Sequence, residues 1–83
     1  MITEADSIQM MFPTEPDWEQ VSDPVLVELV EKYAYDQSCA TAAIGLLSLR
    51  QHPRAAELAA WLLTEQHADK WLKARATDLL ADG

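Results

Sequence analysis

Few side chains here have the chemistry to be a nucleophile, a general base or a metal ligand, so each can be weighed singly. Cys39 is the only thiol and His52 and His67 are the only imidazoles. A catalytic cysteine needs a base within hydrogen-bond reach and a lowered pKa. On one continuous helix, Cys39 and His52 would lie about 19 Å apart at 1.5 Å per residue. Cys39 is therefore read as a core residue, His52 as a partner for a helix C-terminus, and His67 as a loop residue at a helix end. The three together lack the spacing of a zinc site, so no metal is expected. Acidic pairs such as Glu28/Glu31 and Asp78/Asp82 fall at helical spacing and read as solvated faces. The two glycines, Gly45 and Gly83, are isolated, so no phosphate-binding loop is present. These residues predict no catalysis and no cofactor.

Basic residues gather late in the chain. Lys70, Lys73 and Arg75 sit within six residues, and 52–80 has the outline of a helix-turn-helix with a basic second helix. The charge of the whole opposes nucleic-acid binding: 14 acids against 6 bases give −8 and a pI near 4.4. That balance removes the electrostatic attraction to phosphate on which such binding depends. It suits instead an acidic inhibitor, an immunity-type protein or a nucleic-acid mimic that occupies a basic partner surface. The charge is unevenly placed. Residues 1–23 hold Glu4, Asp6, Glu15, Asp17, Glu19 and Asp23 with no base, whereas residues 24–83 hold eight acids and six bases. The chain thus divides into an acidic N-terminal segment, 1–23, and a nearly neutral body, 24–83. The segment also carries Ile8, Met10, Met11 and Phe12, an apolar cluster expected to dock on the body.

The elements that position these residues are helical. At 83 residues and 49% apolar content the chain is long enough for one small globular domain. No apolar run reaches the ~20 residues of a membrane helix, no secretory leader is evident, and a lone cysteine suits a reducing, cytoplasmic setting. Ser22-Asp23-Pro24 signals a helix start, followed by a stripe of Val25, Leu26, Leu29, Val30 and Tyr33. A second helix, about 38–51, carries Cys39, Ala43, Leu46, Leu47 and Leu49 and stops at His52-Pro53. A third, about 53–66, carries Leu58, Ala59, Trp61, Leu62 and Leu63. The fourth, about 69–81, carries Leu72, Ala76, Leu79 and Leu80. Thr14-Glu15-Pro16-Asp17 predicts the cap of a short turn holding Trp18 and Val21. Short links make successive helices antiparallel. The expected fold is all-α: two stacked antiparallel helical hairpins, four main helices, with the acidic N-terminal segment.

The hairpins repeat. A shift of 33 residues places Leu29 on Leu62, Asp36 on Asp69, Ala43 on Ala76, Leu46 on Leu79 and Leu47 on Leu80. Asp36 and Asp69 are expected to cap the second helix of each unit, with Ala43 and Ala76 where the helices approach closely. Asp69-x-x-Leu72-Lys73-x-x-Ala76-x-x-x-Leu80 resembles the second helix of a HEAT repeat, in which an acidic turn leads to a Val-Arg pair, then Ala, then Leu. The first copy departs from it, with Cys39-Ala40 in place of Val-Arg, and neither copy has a proline after the turn aspartate. The likeness spans about residues 24–82. It implies a non-catalytic protein-binding module or adaptor whose second helices line the contact face. The positions read as outward there are Gln37, Thr41, Ile44 and Ser48 in the first hairpin, with Lys70, Trp71, Lys73, Thr77 and Asp78 in the second. Two units are few for such a stack. The N-terminal segment, through Met11, Phe12 and Trp18, is expected to cover one end, and self-association the other.

Overall fold

A computed structural model describes residues 4–11 and 17–82. It contains five α-helices, α1 Glu4–Met11, α2 Asp23–Glu31, α3 Gln37–Leu49, α4 Ala55–Thr64 and α5 Lys70–Asp82, with a single 3-10 turn at Trp18–Gln20 before α2. No strand occurs among the described residues. α2 pairs with α3 and α4 with α5, and the two hairpins are joined chiefly by α3 against α5 and α3 against α4. The sequence shift carries over to the helices: α3 moved by 33 residues coincides with α5 at both ends.

Local chemistry explains the boundaries. The Asp36 side chain accepts from the Cys39 amide at 3.0 Å, and Asp69 accepts from the Leu72 amide at 2.8 Å, so each turn aspartate caps the helix that follows. Ser22 is the N-cap of α2 by backbone geometry but makes no side-chain capping bond. The adjoining Asp23 carboxylate is drawn instead to Arg50 Nη1, at 2.7 Å. α3 ends at Leu49, two residues earlier than the proline implies. Gln51 takes the left-handed conformation (φ 58°), its amide bonding Ser48 O and the His52 amide bonding Leu47 O, both at 2.9 Å. That pattern is a Schellman C-cap with glutamine where glycine is usual. Pro53 then lies in the connecting turn, and α4 begins at Ala55 rather than at the proline.

The core is one continuous cluster. Leu26, Leu29, Val30, Cys39, Ala43, Ile44, Leu47, Leu62, Leu72 and Ala76 are fully buried. Each large aliphatic among them contributes about 1.5–3 kcal/mol by burial. Trp61 packs on this cluster half-buried and meets Tyr33 edge to face, at 5.8 Å and 72°. Three residues assigned to apolar stripes sit elsewhere: Leu49 is 78% exposed, Leu63 39% and Leu80 36%. Leu49 lies on the open side of the last turn of α3, with no helix over it.

α1 packs on α2. Ile8 is buried there, Gln9 Nε2 donates to Lys32 O at 3.2 Å, and Lys32 pairs with both Asp6 and Glu28. Those carboxylates, Glu28 first, raise the Lys32 pKa. Of the residues expected to hold the N-terminal segment, Trp18 packs half-buried against the core. Phe12 and the Met11 side chain lie outside the described residues, as do Thr14, Glu15 and Pro16. The Asp17 side chain caps the 3-10 turn through the Glu19 amide. The segment joining that turn to α2 is held by Arg50, whose guanidinium donates to Trp18 O, Val21 O and Asp23 Oδ1 at 2.7–3.1 Å.

Candidate functional site

Which face of each second helix is open follows from the 100° turn per residue. On α3, Gln37, Thr41, Ile44 and Ser48 form one row, Ser38, Ala42, Gly45 and Leu49 the next. The first row had been read as outward, yet it is the row that meets the second hairpin. Ile44 is fully buried and cannot touch a partner. Gln37 is spent on the neighbouring turn: its Nε2 donates to His67 O at 2.9 Å and its Oε1 accepts from the Asp69 amide. Thr41 is half-buried and returns its hydroxyl to Gln37 O, whereas Ser48, also half-buried, borders the open groove between α3 and α5. The correction has a simple cause. Stacking consumes the face that an isolated hairpin would present, and helical periodicity alone does not say on which side the next hairpin will sit.

The corresponding row of α5, 33 residues on, is Lys70, Ala74, Thr77 and Ala81, with Lys73 flanking it, and it faces the free end of the stack. Lys70 and Thr77 are exposed and Lys73 is half-buried. Trp71 and Asp78 belong with Arg75 to the next row, the one equivalent to Ser38, Ala42 and Gly45. These two rows, one on α3 and one on α5, border an open groove of about 360 Å³. Ala42, Gly45, Leu46, Ser48 and Leu49 line it from α3, and Arg75, Asp78 and Leu79 from α5. A second hollow of about 540 Å³ continues from it past Ser48 and Leu79 towards His52 and Ala56.

Gly45 decides the shape of this groove. A Cβ there would come within 2.7 Å of Arg75 Nη2 and 3.1 Å of Nε, so the guanidinium lies across the bare backbone of α3. A glycine in mid-helix costs about 1 kcal/mol relative to alanine. Its effect here is to seat a cation against an otherwise uncharged helix: α3 contains no Asp, Glu, Lys or Arg. Beside the groove Trp71 is 69% exposed, with Lys70 Nζ over its ring at 5.1 Å. Arg75 and Leu49 are groove residues that sequence reasoning missed as contacts, together with Ala42, Gly45, Leu46 and Leu79. The glycine at the position matching Asp78 was the available signal for the first.

The rest of the charge lies elsewhere. Arg54 pairs with Glu31 and Glu57, and the Tyr33 hydroxyl donates to Glu65 at 2.9 Å, so the last residue of α2 and the turn after it are tied to the two residues that cap α4. Burial, with the Glu65 carboxylate second, raises the Tyr33 pKa. Among the described residues no ion pair involves Lys70, Lys73 or Arg75. Cys39 is fully buried, and burial together with the Asp36 charge pushes its thiol up to about 11, away from thiolate chemistry. His52 is spent structurally: Nδ1 accepts from the Arg54 amide and Nε2 lies 4.0 Å from Asp23. No cluster of three metal-ligating side chains occurs among the described residues, and none of their helices is long and apolar enough to cross a membrane.

No protein-family model, no curated protein sequence and no solved structure matches this chain.

Proposed function

We propose that the chain is a two-unit, HEAT-like protein-binding module or adaptor without catalytic activity, whose contact surface is the groove between α3 and α5. The observation that carries this reading is the groove's lining. Exposed Leu49 and the Arg75 guanidinium line the groove on a pair of equivalent helices, and exposed Trp71 stands outside it, one helical turn before Arg75. Tryptophan and arginine side chains are the usual anchors of protein interfaces, and the leucines beside them supply apolar area that excludes water. The buried, protonated thiol and the structurally engaged imidazole support a non-catalytic role.

The test uses the intact chain as bait in lysate of its native cells, followed by size-exclusion chromatography at low and high salt. The expected result is one partner at fixed stoichiometry. It should be lost with Leu49→Ser or Trp71→Ala and kept with Lys70→Glu/Lys73→Glu, because those lysines lie on the end row. A partner insensitive to the groove substitutions overturns the assignment.

The charge balance supports a second reading, an acidic inhibitor or mimic on a basic partner surface. It predicts that binding falls steeply with salt and disappears when Asp17, Glu19 and the other acids of 1–23 are made neutral.

A further inference from the structure

The groove has a chemistry as well as a shape. Its α3 wall is uncharged, and no acid occurs between Asp36 and Glu57 in the sequence. In a chain of 14 acids and 6 bases, a surface that offers a lone guanidinium beside leucines is an exception to the overall field. Arg75 has no ion pair among the described residues, whereas Lys32, Arg50 and Arg54 are each matched to carboxylates. The geometry points to a specific occupant: an amphipathic helical segment of a partner protein that lays aliphatic side chains along Leu46, Leu49 and Leu79 and sets a carboxylate on Arg75. Two neighbouring helices leave a trough suited to a third, read through side chains three and four apart. A guanidinium takes a carboxylate through two parallel hydrogen bonds, stronger than neutral ones and fixed in direction. Asp78 also lines the groove, one helical turn past Arg75. It repels a second acid at that place, so the occupant carries a single carboxylate there followed by a hydrogen-bond donor, not an acidic run. This selects against polyanions and rests on the protein-binding reading above.

The probe is a display library of random peptides about 15 residues long, four helical turns, selected on the full chain and in parallel on Arg75→Glu. Both Arg75 and Leu49 are exposed, so their variants keep the fold. Peptides enriched by the unaltered chain are expected to place one Asp or Glu among leucine-like residues at three-and-four spacing. Fluorescence anisotropy should then show affinity falling about tenfold or more on Arg75→Glu, and falling also on Leu49→Ser. The Arg75→Glu chain should select Lys or Arg at the same place. Enriched peptides that lack an acid, or that bind Arg75→Glu undiminished while still needing Leu49 and Trp71, overturn the carboxylate inference and leave the groove as a protein-binding surface. Peptides indifferent to all three residues, or no enrichment at all, overturn both. A labelled DNA duplex run alongside should not bind. Retention that Arg75→Glu abolishes would assign the guanidinium to phosphate and also overturn the proposal.

Discussion

The two hairpins are built on one pattern and live in different surroundings. α2–α3 is covered on one side by α1 and on the other by α4–α5, whereas α4–α5 has a neighbour on one side alone. Equivalent positions record the difference. Ile44 is fully buried and its counterpart Thr77 is exposed; Ala40 is buried and Lys73 is half-exposed; Val30 is buried and Leu63 is 39% exposed. On α5 the second unit carries polar residues where α3 carries buried apolar ones, along the row that has nothing to stack on, which is what the last unit of a repeat array requires. Burial in such a stack belongs to the position in the array and not to the hairpin.

The sharpest break of that comparison is a matched pair of substitutions. Ile44→Ala should destabilise by about 2–5 kcal/mol, since it opens a cavity in the middle of the stack. Thr77→Ala, at the equivalent place, should stay within about 0.5 kcal/mol. Urea unfolding of both variants measures the gap, and equal costs would mean that the hairpins share one environment.

Next in size is an alkaline sensitivity carried by the first hairpin, because Cys39 corresponds to Leu72 in the second. The unfolded thiol loses its proton near its ordinary value while the buried one holds it up to about 11. Between those values the native state binds more protons, so stability falls as pH rises. The loss should reach about 2–3 kcal/mol by pH 11. Tyr33, raised as well, adds to the loss in the same direction above pH 10. Cys39→Ala should flatten most of the slope between pH 8.5 and 10, and an undiminished slope would place its cause elsewhere.

The turn aspartates sharpen the likeness of the two units. Asp36→Ala and Asp69→Ala should each cost about 1 kcal/mol, with similar unfolding midpoints, because each removes one N-cap bond of the same kind. A small gain should come from Gln51→Gly, which relieves a left-handed non-glycine residue at the end of α3. It is worth about 0.5–1 kcal/mol, or a few degrees in Tm.

Much of this architecture was legible in the residues. The leucine spacing, the two turn aspartates and the 33-residue shift are local signals, and local signals fix helices, caps and short antiparallel links. Contacts between units were not legible. Gln37 looks like any surface glutamine until the second turn arrives beside it, and Ile44 looks like an exposed anchor until the hairpins stack and bury it. Arg50 reads as the trailing charge of a helix, although it holds the segment before α2 by three bonds from 27 to 32 residues away. The C-terminus of α3 was misplaced for a different reason. A proline names a boundary only approximately, and the left-handed Gln51 had already ended the helix. The groove was half legible: Ser48 and Asp78, which line it, read as contacts from the sequence, as does Trp71 next to it, whereas Gly45 reads as a close approach without the side chain that approaches it.

The side-by-side placement of α3 and α5 is the feature on which the groove and its proposed occupant depend, and nuclear Overhauser contacts in the isotopically labelled full chain read it directly. Cross-peaks are expected from Gly45 to the Arg75 side chain, joining the second helices, and from Tyr33 to Trp61, joining the turn after α2 to α4. A spectrum without both, in which α5 instead contacts α2, would contradict the stacking of two equivalent hairpins.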